Sequence, residues 1–272
     1  MVCKMNGLQR PIRVVMFGGG PVLERDVKQF LVRLEDHADI ELLGAFCQSA
    51  GQSLADVVAN TWQRRRWLAP AVLGLQLLSI VARWLRHPRQ EWALRREMGR
   101  LNGRVHFIPN IHDEVALAQV RALQPDLGLI YGSPILKPAL FEIPAQGTLG
   151  IHHGQVPQYR GKKTTFWAMY HGEPVAGVTI QKVTVGLDTG KIVGNGAVPI
   201  GRRGYGDVMR DVLALGLDLY IEAILQVRDG TAVYRPQTGR KGKLYRDPKP
   251  GDILRFWWRR IWEVDVRRGR EA

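Results

Sequence analysis

Short apolar runs alternate with segments of helical periodicity along the first 152 residues of the chain. Residues 22–37 and Asp113–Gln124 repeat apolar side chains every three or four positions and predict helices, the second with Asp113 as its N-cap. Strands that alternate with helices pair in parallel, so the pattern predicts an α/β fold with an open, mostly parallel sheet. Five buried strands are expected, at Ile12–Phe17, Ile40–Cys47, Arg104–Ile108, Asp126–Tyr131 and Gly147–His152.

The pattern changes after residue 152. Residues 176–183 and 191–200 predict two strands separated only by a turn, which indicates an antiparallel extension of the sheet. A long helix is expected over Tyr205–Asp229, and a last short strand over Thr231–Arg235.

An insertion at about residues 53–103 interrupts the alternation of strands and helices and predicts helical structure over 61–100. Its most apolar part, Trp67–Ala82, has arginines on both sides and is short for a membrane span. An apolar helix flanked by Arg and Trp can lie in a membrane interface. The alternative is a helical hairpin that packs on the domain or on a second subunit, and the sequence leaves both open.

The positive charge of the chain is concentrated in two segments. The formal net charge is +14; residues 61–100 hold nine arginines against two glutamates, and residues 235–272 hold twelve Lys or Arg against five acids. Two such patches indicate an acidic partner, which could be nucleic acid, anionic lipid or a phosphorylated substrate. A basic surface without a dedicated partner is the alternative.

Cysteine content and the first residues bear on the compartment. The two cysteines, Cys3 and Cys47, are too few for a disulfide framework or a zinc site, which favours a reducing compartment and no bound metal. The first 17 residues lack the long apolar run and small-residue cleavage site of a signal peptide. A cytoplasmic protein is therefore expected, with any lipid contact at the inner face of the membrane.

Two polar residues stand out as candidates for chemistry. His152 ends a predicted strand of the parallel sheet, and ligands of such sheets bind at the carboxyl ends of strands. Asp188 lies in the turn Gly186–Gly190, whose terminal glycines allow a sharp bend. A carboxylate beside an imidazole orients it, and together they can take a proton from an amine. The Gly18–Pro21 run is a tight turn or a wall of a ligand cleft.

The stretch Leu127–Lys191 resembles the formyltransferases that use N10-formyltetrahydrofolate, a family that includes glycinamide ribonucleotide transformylase, methionyl-tRNA formyltransferase and the sugar N-formyltransferases. The family pattern is roughly N-x-H-x-S-L-L-P-x-Y-R-G, then W-A, G-E, G-V-T and L-D-T-G. The resemblance covers about residues 12–50 and 104–247, and it implies the Rossmann-like formyltransferase fold. The matching residues are His152, Pro157, Tyr159, Arg160, Gly161, Trp167, Ala168, Gly172, Glu173, Gly177, Val178, Thr179 and Leu187–Gly190, and the motif Pro236-Gln237 looks like the tail of the catalytic domain.

The resemblance also implies roles for individual residues. Catalysis falls to His152 and Asp188, and the asparagine that donates to the oxyanion in the family is replaced here by Gly150. On a strand, residues 150 and 152 face the same side. Losing such a donor costs about 3–4 kcal/mol. The residues expected to bind the folate are Tyr131, Gly132, Pro134, Ile135, Leu136, Leu187 and Gly190, and those expected at the acceptor are Gly150, Tyr159, Arg160, Gly161 and Lys162.

The catalytic domain is expected to span residues 1–247, followed by a basic aromatic tail over 248–272. The short tail makes tRNA an unlikely partner, although a methionyl-tRNA formyltransferase-like enzyme stays an alternative. An amino sugar on a nucleotide or glycan precursor is the expected acceptor, because a diphosphate suits the basic surface and Lys162. The other alternative is an impaired relative that binds folate or an anionic intermediate at the membrane. A homodimer is compatible with either.

Overall fold

The computed structural model describes residues 10–19, 25–48, 74, 78, 81–82, 85, 87–239 and 241–268, with side chains described as far as residue 260. The strands are β1 (Ile12–Gly19), β2 (Ile40–Gln48), β3 (Val105–Ile108), β4 (Leu127–Tyr131), β5 (Thr148–His152), β6 (Arg160–Gly161), β7 (Val175–Lys182), β8 (Ile192–Pro199) and β9 (Leu244–Tyr245). The helices are α1 (Arg25–Glu35), α2 (Pro88–Arg100), α3 (Glu114–Leu123), α4 (Pro138–Phe141), α5 (Thr164–His171), α6 (Tyr205–Arg228) and α7 (Pro250–Arg268).

Seven of the described strands form one sheet in the order β3-β2-β1-β4-β5-β7-β8. The pairs β1–β2, β1–β4, β2–β3 and β4–β5 are parallel, whereas β7–β8 is antiparallel. The predicted α/β fold with a mostly parallel sheet and an antiparallel extension is therefore confirmed. A separate parallel pair joins β6 to β9.

The chain divides into two compact units, each with a core of its own. The first unit is Met1–Gly150 with Ile221–Ala232, and the second is Ile151–Tyr220 with Val233–Ala272. In the first, Phe17, Phe30 and Leu129 are fully buried. In the second, α7 joins the core through Phe256, which packs in the cluster that contains Val212. Burial of such side chains contributes about 1.5–3 kcal/mol each.

Of two local predictions, one was wrong and one was confirmed. Thr231–Arg235 is not a strand, because the N–H groups of Thr231 and Ala232 bond back to the Gln226 carbonyl at the end of α6, and only Arg235 makes an isolated bridge. Asp113 is the N-cap of α3, as predicted, although its side chain makes no capping bond and its carboxylate accepts from the Asn110 amide.

The insertion is partly described. Helix α2 occupies Pro88–Arg100, as the expectation of helical structure over 61–100 required. Most of the apolar stretch Trp67–Ala82 lies outside the described residues. Of the residues described before α2, Leu78, Val81 and Leu85 are helical and exposed.

Candidate active site

His152 ends β5, and its imidazole is held by the loop that follows. The side chain is 9% exposed, and Nε2 lies 2.7 Å from the carbonyl oxygen of Tyr159. A carbonyl oxygen can only accept, so Nε2 carries the hydrogen of this bond. Nδ1 of the neutral ring then has the free lone pair and is the nitrogen that can take up a proton.

Gly154 leaves the space that this hydrogen bond occupies. A Cβ atom at Gly154 would lie 2.6 Å from His152 Nε2, 2.7 Å from the Tyr159 oxygen and 2.8 Å from Thr164 Oγ1. Any side chain here would therefore displace at least one of these atoms. Glycine at this position, where the formyltransferase pattern has serine, permits the contact between His152 and Tyr159.

Asp188 projects toward the other ring nitrogen from the turn between β7 and β8. Its φ of 51° lies in the left-handed region, which aspartate enters more readily than most residues. Oδ2 accepts from the Gly161 N–H at 2.8 Å, and Oδ1 accepts from Gln181 Nε2 at 3.2 Å. Oδ1 also lies 3.5 Å from His152 Nδ1. The fold therefore brings together the two residues predicted to be catalytic.

The contacts of His152 and Asp188 determine which proton transfer this pair can perform. One ring nitrogen of His152 is committed to a carbonyl, and the other faces the carboxylate of Asp188, which is 13% exposed. A proton taken up at Nδ1 would place a cation beside an anion in a site largely removed from water, where the attraction between them is strong. The arrangement suits a general base that accepts a proton from a nucleophile.

Tyr159 and Arg160 brace the loop after β5. The Arg160 guanidinium donates through Nε and a terminal nitrogen to the carbonyl oxygen of Leu187, beside Asp188. The Tyr159 hydroxyl donates to Glu173 at 2.7 Å. Burial, reinforced by this bond, raises the pKa of Tyr159, so the phenol keeps its proton near neutral pH. Their expected contacts with an acceptor stay predictions.

Gly161 and Lys162 differ sharply in their surroundings. Gly161 has a φ of 94°, a value that favours glycine, and its N–H is the one that Asp188 accepts. The Lys162 side chain is 73% exposed, and its ammonium lies 3.5 Å from the Asp247 carboxylate. An exposed pair of this kind stabilises the fold little, so the ammonium is accessible to an anionic ligand.

His153 is a different kind of histidine from its neighbour. Its backbone carbonyl accepts from the hydroxyls of Thr164 and Thr165. Burial, followed by the charge of His152, lowers the pKa of His153 to about 4. The ring is therefore neutral at physiological pH.

Two glutamines contact Asp188, and only one of them was singled out from the sequence. Gln237 belongs to the Pro236-Gln237 motif of the resemblance, without an assigned role, whereas Gln181 was missed. Gln181 is buried, donates to the Asp188 carboxylate and accepts from Gln237 Nε2 at 3.1 Å. An amide inside the mostly apolar strand before the Asp188 turn was the signal that could have identified it.

The turn closes tightly at Gly190, one of the residues expected to contact folate. A Cβ atom there would lie 1.6 Å from the Lys182 carbonyl oxygen, so no side chain fits. Leu187, in the same turn, is 44% exposed.

The loop after β4, expected to bind folate, lies in the first unit. A cavity of about 350 Å³ is lined by Gly19, Gln48, Gly132, Ser133 and Pro134, residues at or just beyond the carboxyl ends of β1, β2 and β4. Its volume is in the range of small-molecule pockets, and it is widely open to solvent. The other predicted residues of the loop are the buried Tyr131 and Leu136 and the exposed Ile135.

Gly150 lies inside β5, paired with Ile130 of β4. It is buried, as is His152 two residues later. Glycine has no side-chain donor, so position 150 offers no side-chain hydrogen bond of the kind that the family asparagine supplies.

Comparison with known proteins identifies the family. The formyl transferase family model matches residues 87–224. This chain belongs to the formyl transferase family. Among curated relatives, methionyl-tRNA formyltransferase of Thermodesulfovibrio yellowstonii is 32% identical over 130 residues, a match that covers 47% of this chain and 42% of that protein. The chain thus spans less than half the length of such relatives.

Solved structures share the fold. Glycinamide ribonucleotide transformylase 1 from Symbiobacterium toebii matches with a TM-score of 0.57 at 18% identity, over 85% of this chain and 95% of that one. A sugar N-formyltransferase from Shewanella sp. FDAARGOS_354 matches with 0.56 at 13% identity, over 90% and 86%. HypX from Aquifex aeolicus in complex with tetrahydrofolic acid matches with 0.56 at 14% identity, over 90% and 33%.

Two other features, a membrane-spanning helix and a metal site, can be assessed for the described residues. None of the helices in this part of the chain combines the length and hydrophobicity needed to cross a membrane. Nor do three or more of its described His, Cys, Asp or Glu residues cluster so as to hold a metal ion.

Proposed function

We propose that this formyl transferase moves a formyl group from N10-formyltetrahydrofolate to an amine. The observation that carries the proposal is the buried His152–Asp188 pair in a member of this family, with Nδ1 and Oδ1 3.5 Å apart and Nε2 fixed on a carbonyl. When bound, the folate would supply the formyl carbon: the amine nitrogen bonds to this carbon, the bond from the carbon to N10 breaks, and N10 of the departing tetrahydrofolate receives the proton that the amine has given to His152. His152 Nδ1 takes the proton that the attacking amine loses, and Asp188 stabilises the resulting cation.

The residues present fit a folate donor. The 350 Å³ cavity in the first unit has backbone and small polar groups on its walls, including Ser133 and Gln48. Ile135, 76% exposed beside this loop, offers an apolar surface for an aromatic ring. We assign the donor to the loop Tyr131–Leu136; for Leu187 and Gly190, folate contact stays a prediction from the resemblance.

The acceptor we favour is an amino sugar carried by a nucleotide or glycan precursor. The diphosphate of such a substrate complements the net charge of +14, and the exposed Lys162 ammonium lies one residue beyond Gly161, which binds Asp188. Gly150, Tyr159 and Arg160 complete the proposed acceptor side. Methionyl-tRNA is the second candidate acceptor, because the relative from Thermodesulfovibrio yellowstonii carries that name.

Gly150 supports a second class of function. Without a side-chain donor at this position, the chain could bind folate or an anionic intermediate and transfer nothing. In this alternative, His152 and Asp188 are retained for structure.

Calorimetry with a stable formyl-folate analogue tests the donor assignment. The wild-type protein is expected to bind one equivalent, and Ile135→Asp to bind more weakly because it removes an apolar contact. Val115→Asp is the matched control, since Val115 is equally exposed at 72% but lies on α3, outside the loop. Absence of binding by the wild type would exclude the donor. Binding without transfer to any amine tried would favour the binding protein.

Membrane contact through residues 61–100 is a separate proposal about location. It rests on the surplus of arginines in this segment and on the exposure of Leu78, Val81, Leu85 and Trp92. Liposome flotation with and without anionic lipid tests it, and flotation with anionic lipid is expected. Protein that stays in solution under both conditions would contradict it.

A further inference from the structure

Gln181 occupies an unusual place at the end of β7. Six consecutive residues of this strand, Ala176–Gln181, are buried, and the register with β8 shifts between Ile180 and Gln181. Val193 of β8 is the residue left without a partner at this shift, opposite Gln181. The Gln181 amide donates from Nε2 to Asp188 Oδ1 at 3.2 Å.

Gln237 approaches the same turn from a different part of the second unit. Its Nε2 lies 3.0 Å from the Asp188 carbonyl oxygen, 2.9 Å from the Gly190 carbonyl oxygen and 3.1 Å from Gln181 Oε1. Two of these three partners are backbone carbonyls, which only accept. The nitrogen of the Gln237 amide must therefore face them.

This constraint sets the direction of the whole chain of hydrogen bonds. Because Gln237 presents its nitrogen, Gln181 must present its oxygen to Gln237 and hence its nitrogen to Asp188. Asp188 is thereby an acceptor on Oδ1, as it is on Oδ2 toward the Gly161 N–H. The carboxylate is fixed by a donor on each oxygen while its residue holds a left-handed φ of 51°.

We propose that Gln237 and Gln181 are positioning residues that hold the Asp188 carboxylate beside Nδ1 of His152. Gln237 secures the backbone of the turn at Asp188 and Gly190 and orients Gln181. Gln181 then directs Oδ1. The catalytic meaning of this arrangement rests on the proposed formyl transfer, but the geometry can be tested without an acceptor.

The test is ¹⁵N NMR of histidine-labelled protein at one fixed pH, with the ring signals of His152 identified by their loss in His152→Gln. Asp188→Gly removes the carboxylate, and glycine readily adopts the left-handed φ of this position. This variant gives the reference chemical shift of Nδ1 without a neighbouring charge. Gln181→Leu and Gln237→Leu are each expected to move the Nδ1 signal at least halfway to that value. Gln181→Leu combined with Asp188→Gly should add nothing further.

Two further variants keep the result interpretable. Gln181→Glu keeps the size and polarity of the side chain but presents an acceptor to Asp188 in place of a donor. It should therefore move the Nδ1 signal at least halfway to the Asp188→Gly value, and it serves as the test if Gln181→Leu does not fold. Gln119→Leu, on the exposed face of α3, should leave the signal unchanged. A wild-type signal in Gln181→Glu and Gln237→Leu, or a Gln181 effect that persists without Asp188, would overturn the proposal.

Kinetics adds a separate readout if formyl transfer is observed. Loss of a hydrogen bond to a charged group should lower kcat roughly 10- to 100-fold in Gln181→Leu. KM for the folate should stay the same in Gln181→Leu, since Gln181 lies outside the donor cavity. If the NMR coupling is found and no transfer is, the positioning proposal stands and the proposed function fails.

Discussion

Substituting Gly154 by alanine tests whether His152 depends on the space beside it. The new Cβ would lie 2.6 Å from His152 Nε2 and 2.7 Å from the Tyr159 oxygen, well inside the contact distance of carbon with either atom. Overpacking of this kind costs about 1–3 kcal/mol, and loss of the hydrogen bond adds about 1 kcal/mol. Alanine also reduces the conformational freedom of the unfolded chain, which offsets about 0.4–1 kcal/mol of this cost. A net destabilisation of about 1–3 kcal/mol is expected.

Urea unfolding followed by tryptophan fluorescence measures this change as a lower midpoint. The control is Gly99→Ala in α2, where a new Cβ meets no atom within 4 Å and stability should be unchanged or slightly higher. The ¹⁵N signals of His152 should also move in Gly154→Ala, because the ring leaves the Tyr159 carbonyl. Unchanged stability together with unchanged His152 signals would refute the assigned role of Gly154.

Three other substitutions probe the site in different ways. Because the pKa of His153 is lowered to about 4, below its ordinary 6.5, the contribution of this histidine to stability is complete above pH 6.5 and is lost as pH falls toward 4. The urea midpoint of His153→Gln should therefore depend less on pH between 6.5 and 4 than that of the wild type. The same pH dependence in both proteins would contradict this prediction. Gly150→Asn should speed formyl transfer by up to about 100- to 1,000-fold with little change in calorimetric folate affinity, whereas loss of activity would mean that the glycine makes room for the acceptor. Tyr159→Phe should weaken the fall in stability above pH 10, because the folded state favours the protonated phenol and loses this advantage as the pH rises. A plot of urea midpoint against pH that matches the wild type would contradict this.

The fold was predictable because its signals are local. Buried parallel strands are continuous apolar runs, and β1, β2, β4 and β5 were placed within one or two residues of their ends. The strand expected over Thr231–Arg235 failed because the end of α6 captures the N–H groups of Thr231 and Ala232, which apolar patterning does not reveal.

The candidate site was only partly predictable. His152 and Asp188 were found because a motif marks them, and the structure brings them within 3.5 Å. The role of Gly154 depends on the distances from a Cβ atom to its neighbours, and that of Gln181 on hydrogen bonds to Asp188 and to a partner 56 residues away. Neither leaves a periodic pattern in the sequence, so their contribution required coordinates.

The central claim is that His152 serves as the base in formyl transfer. It is tested most directly by single-turnover transfer from N10-formyltetrahydrofolate to a panel of amines that includes nucleotide-linked amino sugars, methionyl-tRNA and glycinamide ribonucleotide. The wild type should formylate at least one amine, His152→Ala should show no transfer while still binding the folate analogue, and His153→Ala should retain most activity. Transfer by His152→Ala at the wild-type rate would contradict the account.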